Sequence, residues 1–152
     1  MTTLRFEQKT TLTPAQFIAG LTDFGPGRSK VFRYSTDGYL KVHRLDATEA
    51  DVTEGSASAW ERLHYDWSNP ERVVLTTVDS NVWGGASGFT YTFTPSPDGS
   101  TTVNAVIVRE GKNFKGRVLA LVVGTLARGM TRKSFVNSVK AIEGRDDQAK
   151  EP

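Results

Sequence analysis

The apolar positions of this chain change period once. From residue 57 to residue 111 they fall in short alternating runs, and from Phe114 to Ile142 they recur every three or four positions. The first pattern is that of strands with one buried face, the second that of a helix. The clearest strand is FTYTFT (89–94), with Phe89, Tyr91 and Phe93 on one face and three threonines on the other. AWERLHYDW (59–67), RVVLTTV (72–78) and TTVNAVIVRE (101–110) supply three more, separated by turn residues such as Ser68, Asn69 and Pro70. Upstream, LRFEQKTT (4–11) and YLKVHRL (39–45) read as strands, and ATEADVT as a weak, polar strand for a sheet edge.

Two short helices follow the first strand. Thr13 is placed to cap the first, with Pro14 at its first position and Gln16 completing a capping box. Leu12 and Phe17 occupy hydrophobic-staple positions, and Gly20, Gly25, Pro26 and Gly27 end the helix before one more turn at residues 28–32. The terminal helix carries the stripe Phe114, Val118, Val122, Thr125, Phe135, Val139 and Ile142. From Val118 to Leu126 it is apolar nearly all round, which predicts strong burial of Val118, Val122 and Leu126. Gly124 and Gly129 each lower helix propensity by roughly 1 kcal/mol and permit a close approach to the sheet or a bend. Antiparallel strands closed by one helix hide their apolar surface when the sheet curls around that helix, an α+β arrangement with room for a cavity.

Composition narrows the function classes. The chain has 152 residues, 38% hydrophobic and 24% charged, which fits one domain, placed at 3–143, with a flexible tail over 144–152. Cysteine is absent, so thiol catalysis, disulfides and cysteine-ligated zinc are excluded. The start MTTLRFEQKT lacks the apolar core of a signal peptide, and VLALVVG is too short to span a bilayer, so a cytoplasmic protein without stable membrane insertion is expected. A net charge of +2 with scattered Lys and Arg argues against nucleic acid. The exception is the basic run Arg128, Arg132, Lys133 and Lys140; favourable placement near a helix C-terminus accounts best for Lys140 and least for Arg128.

The densest chemistry is Trp60 to Trp67. Parity sets Arg62, His64 and Asp66 on one face and Glu61, Leu63, Tyr65 and Trp67 on the other. One reading makes the second face core and the first a solvated network, and this reading is preferred. The other lines a pocket with Tyr65 and Trp67, with Glu61 at its mouth. His64 is the side chain best suited to proton transfer at neutral pH, although its face points outward. No HExxH, EF-hand, phosphate-binding glycine pattern or GxSxG occurs, so neither metal nor nucleotide nor other cofactor is expected.

The order of elements resembles the helix-grip fold of the START-like/Bet v 1-like (SRPBCC) superfamily, in its bacterial polyketide cyclase/dehydrase-like branch. The resemblance is carried by SASAWERLHYDWSNPERVVLTTVDSNVWGG, SGFTYTFTPSPDG and the segment GKNFKGRVLALVVGTLARGMTRKSFVNSVKAIE. It implies a curved antiparallel sheet of six or seven strands around a long C-terminal helix, with two short helices after the first strand. It further implies a gap that receives a hydrophobic or aromatic small molecule or lipid. Tyr65, Trp67, Trp83, Phe89, Tyr91, Phe93, Val118, Val122 and Leu126 are the expected ligand-binding residues. The alternative is a cyclase or dehydratase using the same cavity, with His64, Tyr65 and Arg109 as candidates. A third reading is a non-catalytic interaction or homodimerisation domain, with VLALVVGTLA meeting a second subunit or the basic cluster meeting an acidic headgroup or protein. Monomer and homodimer both remain open.

Overall fold

The computed structural model describes residues 1–32 and 35–150, with side chains up to residue 146. Strand β1 (Thr2–Thr10) leads into helices α1 (Pro14–Leu21) and α2 (Arg28–Val31). A meander follows: β2 (Lys41–Leu45), β3 (Glu49–Gly55), β4 (Trp60–Asp66), β5 (Arg72–Ser80), β6 (Gly88–Pro95) and β7 (Thr101–Arg109). Together the seven strands form one curved antiparallel sheet in the order β1-β7-β6-β5-β4-β3-β2. Only β1 leaves its chain neighbours, crossing to pair with β7 from Thr2↔Arg109 to Thr10↔Thr101. Two helices close the chain, α3 (Phe114–Gly124) and α4 (Arg128–Lys150).

Local chemistry explains the crossing. The capping box of α1 is formed, with the Gln16 N–H donating to the Thr13 hydroxyl and the Thr13 N–H donating to the Gln16 side chain. Leu12 and Phe17 are buried, fixing how the chain leaves β1. Gly27 precedes α2 at φ 89°, a left-handed conformation open to glycine. On the inner face of the sheet, α4 lays down Phe135, Val139 and Ile142, and Phe135 stacks on Phe6 with centroids 6.0 Å apart.

Two expectations are corrected. The sheet edge on this side is β2, whose residues are all exposed, whereas β3 lies inside the sheet. Its polar look misleads because Ala50 and Val52 carry its buried face. The terminal helix is also broken, at Thr125–Ala127, where Thr125 departs from helical geometry and the Ala127 N–H donates to the Val122 carbonyl. Val118 and Leu126 are exposed, at 44% and 88%, and Val122 is half-buried. The cause lies on the opposite face of α3. Gly116, Ala120 and Gly124, spaced by four, make a flat stripe that approaches the protein closely. A Cβ on Gly116 would overlap the Val82 carbonyl oxygen, Gly124 lies against Thr2, and the Thr2 hydroxyl donates to the Ala120 carbonyl at 2.8 Å. Small residues thus take the inner face and turn the larger ones outward.

Helix α4 continues to Lys150, through the first part of the segment expected as a tail; residues 151–152 lie outside the described residues. Among the described residues no helix is long and apolar enough to cross a membrane.

Candidate ligand-binding site

Strand β6 shows how the fold builds its cavity. Its alternation puts Phe89, Tyr91 and Phe93 inward, opposite Ile107, Ala105 and Val103 of β7. At Phe93 the inner space is filled by α1, whose Phe17 packs against it at 5.3 Å. Towards Phe89 the space between sheet and helices is left unfilled. A cavity of about 400 Å³ opens there, with Trp83, Phe89, Tyr91 and Ile107 on the sheet side. The helical side comes from α1, α2 and α4, with Phe17, Leu21, Phe32, Phe135 and Ile142. Among the lining residues Met130 is the exposed one, which puts the opening beside the α3–α4 break.

The cavity also presents polar groups. Arg109 ends the buried face of β7 and grips Glu61 of β4 bidentately, at 3.0 and 2.9 Å. Its guanidinium lies 4.9 Å from the Trp83 ring centroid and 4.3 Å from that of Phe89, a cation between two aromatic faces. The Thr77 hydroxyl donates to the same carboxylate at 2.9 Å. Glu61 stands directly opposite Glu54 of β3 in the register, and both are buried. Two facing carboxylates repel each other unless each has its own cation. Arg28 of α2 supplies the second, its Nε donating to Glu54 Oε1, while the Tyr65 hydroxyl donates to Glu54 Oε2. Arg28 further donates to the carbonyls of Leu21 and Asp23, which ties the α1–α2 loop to the sheet.

Tyr91 stands within the influence of both ion pairs. It is 8% exposed, and burial pushes its phenol up to about 12. Among the described residues its hydroxyl has no hydrogen-bond partner. It is therefore a neutral donor on a cavity wall at any physiological pH.

The expected ligand-binding residues divide into two groups. Trp83, Phe89 and Tyr91 line the cavity. Tyr65 points inward but is engaged by Glu54 and Arg28, Phe93 belongs to the closed core, and Trp67 packs at the margin of that core. Val118, Val122 and Leu126 lie off the cavity; Val123 and Ala127 contribute instead, because of the break. The three catalytic candidates do not meet. Arg109 is in the cavity wall, Tyr65 is in the neighbouring network, and His64 is on the outer face, 3.2 Å from Asp51 and 3.3 Å from Glu49. Sequence reasoning missed Thr131, Ser134 and Ser138 of α4, which also line the cavity. Thr131 and Ser138 turn their hydroxyls to the carbonyls of Ala127 and Val31, at 2.9 Å each, and so present small, largely apolar surfaces inward. Arg28 and Glu54 were missed as well, although strand parity with Ala50 and Val52 marks Glu54 as inward. Among the described residues no cluster of acids and histidines could hold a metal ion.

No protein-family model and no curated protein matches the sequence. Solved structures do. TTHA0849 from Thermus thermophilus superposes with a TM-score of 0.73 at 14% identity, over 98% of this chain and 99% of that one. A START superfamily protein from Mycobacterium smegmatis gives 0.69 at 10% identity, over 98% and 99%. The chain has the START/Bet v 1-like helix-grip fold. A third helix-grip structure, the Zhui aromatase/cyclase from a Streptomyces species, gives 0.65 at 9% identity, over 96% of this chain and 93% of that one. Identities this low establish shared architecture. Within the helix-grip frame, the chemistry of this cavity is read from its own residues.

Proposed function

We propose that this protein binds an apolar or aromatic small molecule or lipid in the helix-grip cavity, as a cytoplasmic binding protein without a resident cofactor. The observation that carries the reading is an open cavity of about 400 Å³ whose wall is mainly apolar and holds one neutral, unpartnered phenol, Tyr91. That combination of volume, apolar lining and few convergent polar groups is what a small-molecule site requires. A ligand burying about 300 Å² of apolar surface gains roughly 7 kcal/mol before ordering costs. The phenol adds orientation, because it donates to a single acceptor oxygen that an otherwise apolar ligand brings.

Calorimetric titration with a rigid aromatic ketone and the hydrocarbon of equal size tests the proposal. The wild type is expected to prefer the ketone, and Tyr91→Phe to bind both alike. Failure to bind either compound, or any ligand from a wider apolar set, overturns it.

A cyclase or dehydratase-like activity is the second reading. It is favoured by the Glu61–Arg109 pair in the cavity wall, where a carboxylate and a cation adjoin the bound ligand, and by the likeness to the Zhui aromatase/cyclase. Its signature is turnover of a poly-carbonyl substrate that Glu61→Gln abolishes while binding persists. His64, the candidate best suited to proton transfer at neutral pH, stands apart from the cavity, which supports binding over catalysis.

A further inference from the structure

From Gly111 to Ile142 the chain has seven cations, namely Lys112, Lys115, Arg117, Arg128, Arg132, Lys133 and Lys140, and no acid. The whole chain has 19 cations against 17 acids, so the remaining residues carry 12 against 17. The molecule is therefore strongly polarised, a feature hidden by its small net charge. Arg117, Arg128, Arg132, Lys133 and Lys140 make no ion pair with any described residue. Arg128 begins α4 and Arg132 and Lys133 follow within two turns, with no acid in the first turn. Cations at a helix N-terminus oppose the backbone dipole and weaken the helix. Folding does not account for them.

The same region holds the largest exposed apolar side chains apart from the chain start. Phe114 is 83% exposed, Leu121 65%, Leu126 88% and Met130 75%. Phe114, Val118 and Leu121 follow one stripe of α3, and Leu126 stands at the break itself. Two-fold self-association through this patch would bring seven cations towards seven, so the charge pattern argues against a second copy. Aliphatic and aromatic side chains projecting among unpaired cations match a surface that is anionic outside and apolar just beneath.

We propose that the α3–α4 elbow docks the protein reversibly on an anionic lipid bilayer. Leu121, Leu126 and Met130 enter the headgroup region, and Arg117, Arg128 and Arg132 contact lipid phosphates. Docking rests on charge and exposure alone. It also turns the cavity opening, at Met130, towards the bilayer, so that an apolar occupant exchanges without crossing water; that consequence rests on the function proposed above.

Co-sedimentation with vesicles tests the proposal, using pure phosphatidylcholine and mixtures containing phosphatidylglycerol. The wild type is expected to pellet with the anionic vesicles and stay in solution with the neutral ones, and high salt is expected to release it. Charge reversal in the double variant Arg128→Glu, Arg132→Glu is expected to weaken anionic-vesicle binding by about tenfold or more. Leu126→Asp is expected to weaken it as well. Neither change touches a lining residue, so calorimetric ligand binding in vesicle-free buffer stays unchanged, and loss of that binding alone counts against the cavity reading instead. The melting temperature of the double variant should equal or exceed that of the wild type, since an acid replaces a cation at the start of α4. Equal pelleting with both vesicle types, no pelleting with either, or a stable dimer in light scattering that Leu126→Asp dissolves would overturn the proposal. Selective capture by an acidic protein with no vesicle binding would do the same.

Discussion

Tyr91 sets one hydroxyl on the cavity wall. Its ring belongs to the core and its oxygen has no protein partner. Tyr91→Phe is therefore expected to change stability by less than about 1 kcal/mol in urea unfolding, while it removes discrimination between ketone and hydrocarbon ligands. The phenol also leaves a signature in alkali. Its folded pKa of about 12 lies above the ordinary value of 10.0, so the folded state holds the proton more firmly. The contribution is fully present below pH 10.0 and is lost as pH rises through about 12. Across that window the wild type should lose about 2–3 kcal/mol that Tyr91→Phe retains, read from urea midpoints at successive pH values. Parallel pH profiles for the two proteins would show that the phenol is in contact with water.

Helix α3 makes the argument at the scale of elements. Hydrophobic periodicity assigned its inner face to Val118 and Val122, yet that face belongs to Gly116, Ala120 and Gly124. Close backbone approach outweighs side-chain burial here, because a helix whose small residues face inward sits nearer its support than one packed through valines. Gly116→Ala should therefore destabilise by about 2 kcal/mol or more, since its methyl meets a fixed carbonyl of Val82 rather than a movable side chain. Gly129→Ala, where nothing lies within 4 Å, should stabilise instead, by up to about 1 kcal/mol. Thermal melts of the two variants decide whether the stripe is the contact face. A neutral Gly116→Ala would refute the packing described for α3. The break after Gly124 also hands the cavity wall to α4, whose serines and threonine leave space that leucines would fill.

For the whole molecule, the cavity is unfilled space between a curled sheet and a helix. Closed by side chains, the same frame would be more stable and unable to bind. Ser134→Leu projects an apolar side chain into that space from α4. It is expected to raise the melting temperature and to weaken ligand binding about tenfold or more, by replacing the ligand's contacts with its own. A lower melting temperature with unchanged affinity would mean that residue 134 does not face the ligand. The buried pairs Arg109–Glu61 and Arg28–Glu54 serve the same global geometry. They fasten β7 to β4 and the α1–α2 loop to β3, across the concave face where an apolar core alone would not specify the opening.

Period and parity in the chain were enough to determine the strands of the meander, the capped start of α1 and the inward faces of β4 and β6. Alternation is local, and one buried side of a sheet enforces it. A curved antiparallel sheet closed by helices was legible for the same reason, since a meander closed by helices has few ways to hide its apolar face, whereas the helix-grip frame of six or seven strands came from the family resemblance. The candidate site was legible only in part. Trp83, Phe89, Tyr91 and Arg109 stand in the cavity wall. Tyr65, Trp67 and Phe93 point to the same side of the sheet, but where α1 fills the gap depends on distances between elements that no local pattern encodes. The pairing of Glu61 with Arg109 and of Glu54 with Arg28 joins residues 48 and 26 positions apart. Which face of α3 turned inward was decided by a carbonyl oxygen of Val82, more than thirty positions upstream. Periodicity states that a face is buried; only tertiary contact decides how closely, against what, and with how much space left between.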